Sequence, residues 1–246
     1  MKIYYFPRSN VKIVALLGLV LIAAIGFALT YYQAPVMVSQ PNPIYQGITG
    51  QKNVALTVNV DWGEEFIPAM LDEFKKNNAK VTFFVTAKWA EKNTELLKRM
   101  AKEGHSIQNH GYKHCHFNTL SSTQTAEEIK KADKVISAIT GKKTGYFASP
   151  YGEFNQSIVD GVNSINYKMI MWSVDTIDWQ RPSPYIIVNR VMNKIHNDAI
   201  VLMHPTEPTV KALPDMLKQL KEQNYSMVTI DKILSPPAGK SVNDKK

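Results

Sequence analysis

The feature that most narrows the fold is a rhythm. From residue 51 to residue 234, short apolar runs rich in β-branched and aromatic residues alternate with stretches of helical spacing. The runs are 54–60, 81–85, a short 106–109, 146–148, 169–174, 199–203 and 226–230. The helical stretches between them are 64–77, 87–103, 121–140, 155–164, 184–196 and 209–223. Strands that are apolar along their whole length must be covered on both faces, which parallel strands with helical crossovers achieve. About seven such units, with no glycine-rich nucleotide loop, predict an α/β fold. The expected architecture is a distorted (β/α) barrel of about seven parallel strands rather than an open doubly wound sheet.

The flanks differ in composition. Residues 1–12 are short and basic, with Lys2, Arg8 and Lys12. Residues 13–32 carry no charge, and 20 residues suffice for a helix to cross a bilayer. Positive charge before the run and none just after it favours the amino terminus inside and the remainder outside. The reading is an uncleaved transmembrane anchor holding the domain on the extracytoplasmic side. A cleaved signal peptide and a secreted domain form the competing reading. Residues 33–50 hold three prolines, two glycines and no charge, as a linker does. Residues 51–234 then form the domain, and 235–246 read as a disordered tail. The net charge of +8 suits anionic surroundings. The basic residues are dispersed, with no arginine block and no basic stripe interleaved with aromatics, so no nucleic acid is expected as a partner. The single cysteine, Cys115, excludes an internal disulfide.

Chemistry-bearing residues gather where the apolar runs end. Asn59 and Asp61 close the first run, and His110 and His114 follow the third. Ala148, Pro150 and Tyr151 follow the fourth, Asp175, Asp178 and Trp179 the fifth, and Leu202 and His204 close 199–203. In a barrel those ends share one face, where active sites are built. One carboxylate and two imidazoles (Asp61, His110, His114) are good donors for zinc and also for cobalt, nickel or iron. Three protein ligands leave room for water and substrate. Blander roles fit the rest. His105 and His116 read as structural or exposed, Cys115 as a small half-buried thiol, and Asp175 as a strand-end cap as readily as a site residue. Glu64 and Glu65 read as solvent-facing acids at a helix start, and Trp62 as core or sugar platform.

Five ordered segments, 57–63 (TVNVDWG), 109–114 (NHGYKH), 147–152 (FASPYG), 175–179 (DTIDW) and 202–204 (LMH), together resemble one family. They are similar to the polysaccharide deacetylases of carbohydrate esterase family 4, the NodB-homology group. The resemblance runs from about residue 54 to residue 234. It implies removal of acetyl groups from an N-acetylated polysaccharide, peptidoglycan or chitin-like, with a divalent metal, zinc foremost. It makes Asp61, His110 and His114 the metal ligands and His204 the general acid, oriented by Asp178. It gives Tyr151, beside Pro150, an oxyanion-binding N–H, and makes Trp179 and Leu202 walls of the acetyl pocket. Two positions depart from the pattern. Asn59 stands where the family has its base aspartate, and Ala148 where an arginine orients that base. An amide cannot take a proton near neutral pH, and the arginine loses its purpose once the aspartate is gone. The expectation is a metal-dependent de-N-acetylase with weakened turnover. The alternative is a catalytically inactive pseudoenzyme that binds cell-wall glycan.

Overall fold

A computed structural model of the chain describes Met1 and residues 17–22, 24–27 and 43–236. It divides into two units, Met1–Gln40 and Pro41–Lys246. In the first, 17–22 and 24–27 are helical. Among the described residues, no helix is long and apolar enough to cross a membrane. The expected span over 13–32 falls only partly on described residues. Residues 2–12, 28–42 and 237–246 lie outside them.

The second unit is a curled parallel sheet with helices packed on it. Its strands are β1 (Asn53–Val60), β2 (Thr82–Val85), β3 (Ser106–Asn109), β4 (Tyr146–Phe147), β5 (Lys168–Met169), β6 (Val174–Asp175), β7 (Ala199–Met203) and β8 (Ser226–Met227). The order is β5-β4-β3-β2-β1-β7-β6, with β8 pairing the start of β1. Every ladder is parallel, and Asn59 stands opposite Phe84 and Val58 opposite Met203.

Three expectations are corrected here. No ladder joins β5 to β6, so the sheet is an open half-barrel rather than a closed barrel. The single strand expected over 169–174 is in fact β5 and β6, at opposite ends of the strand order. A continuous apolar run hid that break. The linker over 33–50 also reaches too far. Ile44 donates to the Met169 carbonyl and accepts from the Met171 N–H, and Gln46 bridges to Ala199. Strand edges at the gap leave backbone groups that need partners, and this segment supplies them, which its turn-like composition does not reveal.

Smaller departures have local causes. The helix expected over 87–103 breaks into Ala87–Lys92 and Thr94–Lys102. Between them the Asn93 side chain donates to the Trp89 carbonyl, the local competition for backbone groups at which asparagine excels. The run at 226–230 keeps only two strand residues, because Thr229 turns to cap the helix Ile230–Ile233.

Alternation along the strands builds the site. Val54, Leu56, Val58 and Val60 join the large core with Met70, Phe74, Leu213 and Leu217. Ala55 joins a separate cluster with Phe84, Ala148, Ile170 and Ile200. Successive side chains on a strand point to opposite faces. Thr57, Asn59 and then Asp61 therefore follow Ala55 up the inner face. On β7 the same period places Ile200, Leu202 and then His204. The interior of the half-barrel is apolar low down and gains polar groups at the carboxyl ends of the strands.

Candidate active site at the strand ends

The best-connected group is Asp178, which is fully buried. Its Oδ1 accepts from His204 Nδ1 at 2.8 Å. Its Oδ2 accepts from the His204 backbone N–H at 2.7 Å and from the Thr209 hydroxyl at 2.6 Å. The short turn Asp178–Gln180 is flanked by left-handed Ile177 and Arg181, and Arg190 pins it by donating to the Thr176 carbonyl at 2.9 Å. The His204 ring lies nearly parallel to that of Trp62, with centroids 6.2 Å apart. Gly63 permits this approach. Its φ is +80°, and a Cβ there would clash with the Pro205 carbonyl oxygen. Leu202 is buried beside this group, while Trp179 is 56% exposed.

The second group centres on His110, which is buried with Nδ1 2.7 Å from the Ala148 carbonyl oxygen. A carbonyl only accepts, so Nδ1 carries the proton and Nε2 keeps its lone pair. Burial pushes the pKa of His110 down to about 3, so the ring is neutral. The His114 ring is 5.1 Å away, centroid to centroid. Burial lowers the pKa of His114, the charge of Asp61 opposes that shift, and His204 adds to it. Asp61 Oδ1 accepts from the Thr86 hydroxyl at 2.6 Å, and Thr86 also caps the helix Ala87–Lys92. One carboxylate and two imidazoles, one of them with its far N–H anchored, suit a divalent ion chemically. Among the described residues, no three or more His, Cys, Asp or Glu side chains are drawn closely enough together to hold one.

Tyr151 follows buried Pro150 in a left-handed conformation, φ 58°. Its ring meets His114 edge-on at 4.4 Å and stacks on exposed His116 at 4.3 Å.

The third group is defined by what it lacks. Asn59 is buried, and its Oδ1 has no hydrogen-bond partner. Leaving such an oxygen unpaired costs about 1–3 kcal/mol. Ala148 packs among the apolar side chains of the inner cluster. Glu64 is exposed and accepts from the Trp89 indole at 3.3 Å. Asp175 caps its own turn by accepting from the Ile177 N–H at 2.8 Å. His105, at the far end of β3, accepts from the Val81 N–H. Burial raises the pKa of the half-buried Cys115 thiol, which lowers its thiolate fraction. The motifs did not reveal Thr86, Thr209 or the Ala148 carbonyl. The one available signal was Thr86 and the Thr206–Thr209 pair standing at predicted helix starts.

The parallel α/β half-barrel carries a carboxylate-held histidine and further ligand-type side chains at its strand ends, the face on which such folds build active sites. The chain belongs to the polysaccharide deacetylase family, carbohydrate esterase family 4, whose profile matches residues 46–170. It is 38% identical over 195 residues to the protein YlxY of Bacillus subtilis, covering 79% of this chain and 61% of that one. It is 31% identical to a peptidoglycan-N-acetylglucosamine deacetylase of Bacillus cereus, covering 76% of this chain and 70% of that one. Among solved structures it resembles BA3943 of Bacillus anthracis, described as a family 4 pseudoenzyme. The match has 41% identity and a TM-score of 0.77, and covers 80% of this chain and 70% of that one. A BA3943 mutant described as having restored enzymatic activity matches with 39% identity and a TM-score of 0.77, covering 80% and 73%.

Proposed function

We propose that this domain binds an N-acetylated cell-wall glycan and hydrolyses it at or near the background rate, because its deacetylase site has no base. The observation that carries this reading is Asn59, whose buried carbonyl oxygen has no partner, beside an Ala148 packed into apolar surroundings. The description of BA3943 as a pseudoenzyme supports it.

The remaining parts suit substrate binding and half of the reaction. Trp62, Tyr151 and Trp179 are 39%, 60% and 56% exposed and offer planar faces to sugar rings. Leu202 and Trp179 wall the acetyl group, next to Pro150. The Tyr151 N–H faces the oxyanion that forms when water attacks the acetamide carbonyl. His204, held in one tautomer by Asp178, protonates the leaving nitrogen. Asp61, His110 and His114 are the donors of the right chemistry for a divalent ion, zinc foremost with cobalt, nickel or iron as alternatives, and would have to draw together around it, since they are not gathered closely enough on their own. When bound, such an ion would polarise the carbonyl and acidify water. The unfilled role is removal of a proton from the attacking water. Asn59 cannot do it, and loss of a general base costs about 10²–10⁴-fold. Residues 13–32, uncharged throughout, would anchor the domain outside the membrane, where such glycans lie.

A slow deacetylase is the second reading, favoured by Glu64, which lines a cavity together with Asp61. The two are separated by titrating the purified protein with chitooligosaccharides and peptidoglycan fragments in the presence of zinc or cobalt, with released acetate followed in parallel. Saturable binding with acetate at the blank level is expected. Efficient acetate release by the unaltered protein contradicts the binding role, and so does failure to bind either glycan. Metal binding is read separately as a thermal shift with zinc, expected to vanish in His110→Ala/His114→Ala.

A further inference from the structure

Parallel strands give the sheet two unlike ends, and charge is sorted between them. Among the described residues, the connections that enter β1–β8 hold Lys52, Lys80, Lys142, Lys143 and Lys194 against two acids, Glu103 and Asp198. The connections that leave those strands reverse the balance, with Asp61, Glu64, Glu65, Glu153 and Asp178 against Lys113 and Arg181. Both acids at the entry end are engaged, Glu103 by Arg99 and Asp198 by the Thr49 hydroxyl and the Gly50 N–H. All five lysines there are exposed. Helix C-termini also point to this end and favour cations in their last turn, but these five stand in the connections, past the helical residues. Dispersed along the sequence, they are gathered by the fold. The same end presents an apolar side chain to solvent. Ile48 is 57% exposed. Its loop is pinned at the start of β7, where Gly47 donates to the Asp198 carbonyl and Ile48 to the Ile233 carbonyl. Lys142 and Lys143 open on a cavity of about 250 Å³ with Ser106, Thr140 and Thr229, and Asp231 is the one acid in its lining.

We propose that the strand-entry end of the half-barrel is a docking face for an anionic phospholipid bilayer, with Ile48 among the headgroups and the candidate site turned away from the lipid. Charge complementarity carries the choice of partner. An anionic plane attracts the basic end of the domain and repels the end that carries Asp61, Glu64 and Glu65. An apolar side chain set among lysines adds burial to that attraction. The proposal rests on the anchor reading above, in which the uncharged run 13–32 brings a bilayer within reach, and it adds an orientation. The docked domain presents its strand-end site to the glycan side rather than to the membrane.

The test is lysine footprinting of the full chain with an amine-acylating reagent, read residue by residue by mass spectrometry. The chain is mixed with vesicles of phosphatidylcholine alone or of an equal mixture with phosphatidylglycerol, and flotation shows which vesicles carry it. An anionic surface stabilises the charged amine, and only the uncharged amine reacts. Lys52, Lys142, Lys143 and Lys194 are therefore expected to react about fivefold more slowly on the anionic vesicles, a difference that molar salt abolishes. Lys113, at the site end, and Lys130 and Lys134, on the helix Ser122–Thr140, keep their rates. In Lys142→Glu/Lys143→Glu the slowing at Lys52 and Lys194 is lost. In Lys130→Glu/Lys134→Glu, which changes the same charge elsewhere, it persists. Flotation with both vesicles at equal labelling rates overturns the docking face and leaves the anchor standing. Flotation with the anionic vesicles alone, with the slowing intact, supports the docking face and overturns the anchor. Slowing spread over all lysines overturns the docking face. Slowing produced as strongly by soluble poly(glycerol phosphate) overturns the bilayer as partner and assigns the face to an anionic polymer. Flotation with neither vesicle overturns both readings.

Discussion

Asp178 and Asn59 are both buried near the carboxyl ends of the strands and have opposite surroundings. The Asp178 carboxylate is buried under three donors from His204 and Thr209. The Asn59 oxygen is buried with none. A fully satisfied polar network fixes the geometry of its members, whereas an unpaired group in low dielectric is a net cost. Under the proposed reading, the acid side of the site keeps its supporting hydrogen bonds, whereas the base side has an unpaired Asn59 oxygen and an Ala148 packed among apolar side chains.

That contrast can be broken by stability measurements. The largest effect belongs to Asp178→Ala, which strips three hydrogen bonds from one buried point. We expect a loss of about 3–5 kcal/mol in urea unfolding. A loss below about 1 kcal/mol would mean the network holds nothing together.

The next effect compares two histidines. His204 has a carboxylate partner, whereas His105 is buried against Phe74 and Phe83. Burial pushes His105 from 6.5 down to about 4. Between those values the unfolded chain takes up a proton that the folded protein refuses. Stability is therefore fully present above about pH 6.5 and falls as the pH drops towards 4, by on the order of 3 kcal/mol. His105→Gln should flatten that window in a pH series of thermal melts. An unchanged slope would assign acid sensitivity to other groups.

The smallest effect is the most diagnostic for the base side. Asn59→Ala relieves the unpaired oxygen but also loses buried packing, two opposing effects that should leave stability changed by less than about 1 kcal/mol. A loss as large as that of Asp178→Ala would show that Asn59 is a structural member of the site.

Much of this was legible in the chain. Asp61, His110, Asp178 and His204 each follow an apolar run, and period-two alternation carries 55, 57, 59 and 61 to one face. The partners that hold these groups were not legible. Thr86, Thr209 and the Ala148 carbonyl are ordinary hydroxyls and backbone, distinguished only by where folding brings them. The gap between β5 and β6 was hidden because both strands lie within one apolar stretch. Ile44 and Gln46 complete the sheet margin from a segment whose composition reads as turn.

The central claim is that this is a deacetylase frame lacking its base, and one assay meets it directly. Acetate release from peptidoglycan fragments, with zinc or cobalt present, is compared between the unaltered protein and Asn59→Asp/Ala148→Arg. The account predicts background release from the former and a rise of about 10²–10⁴-fold in the latter. Efficient release by the unaltered protein, or no gain in a double variant that folds and still binds the glycan, would contradict it.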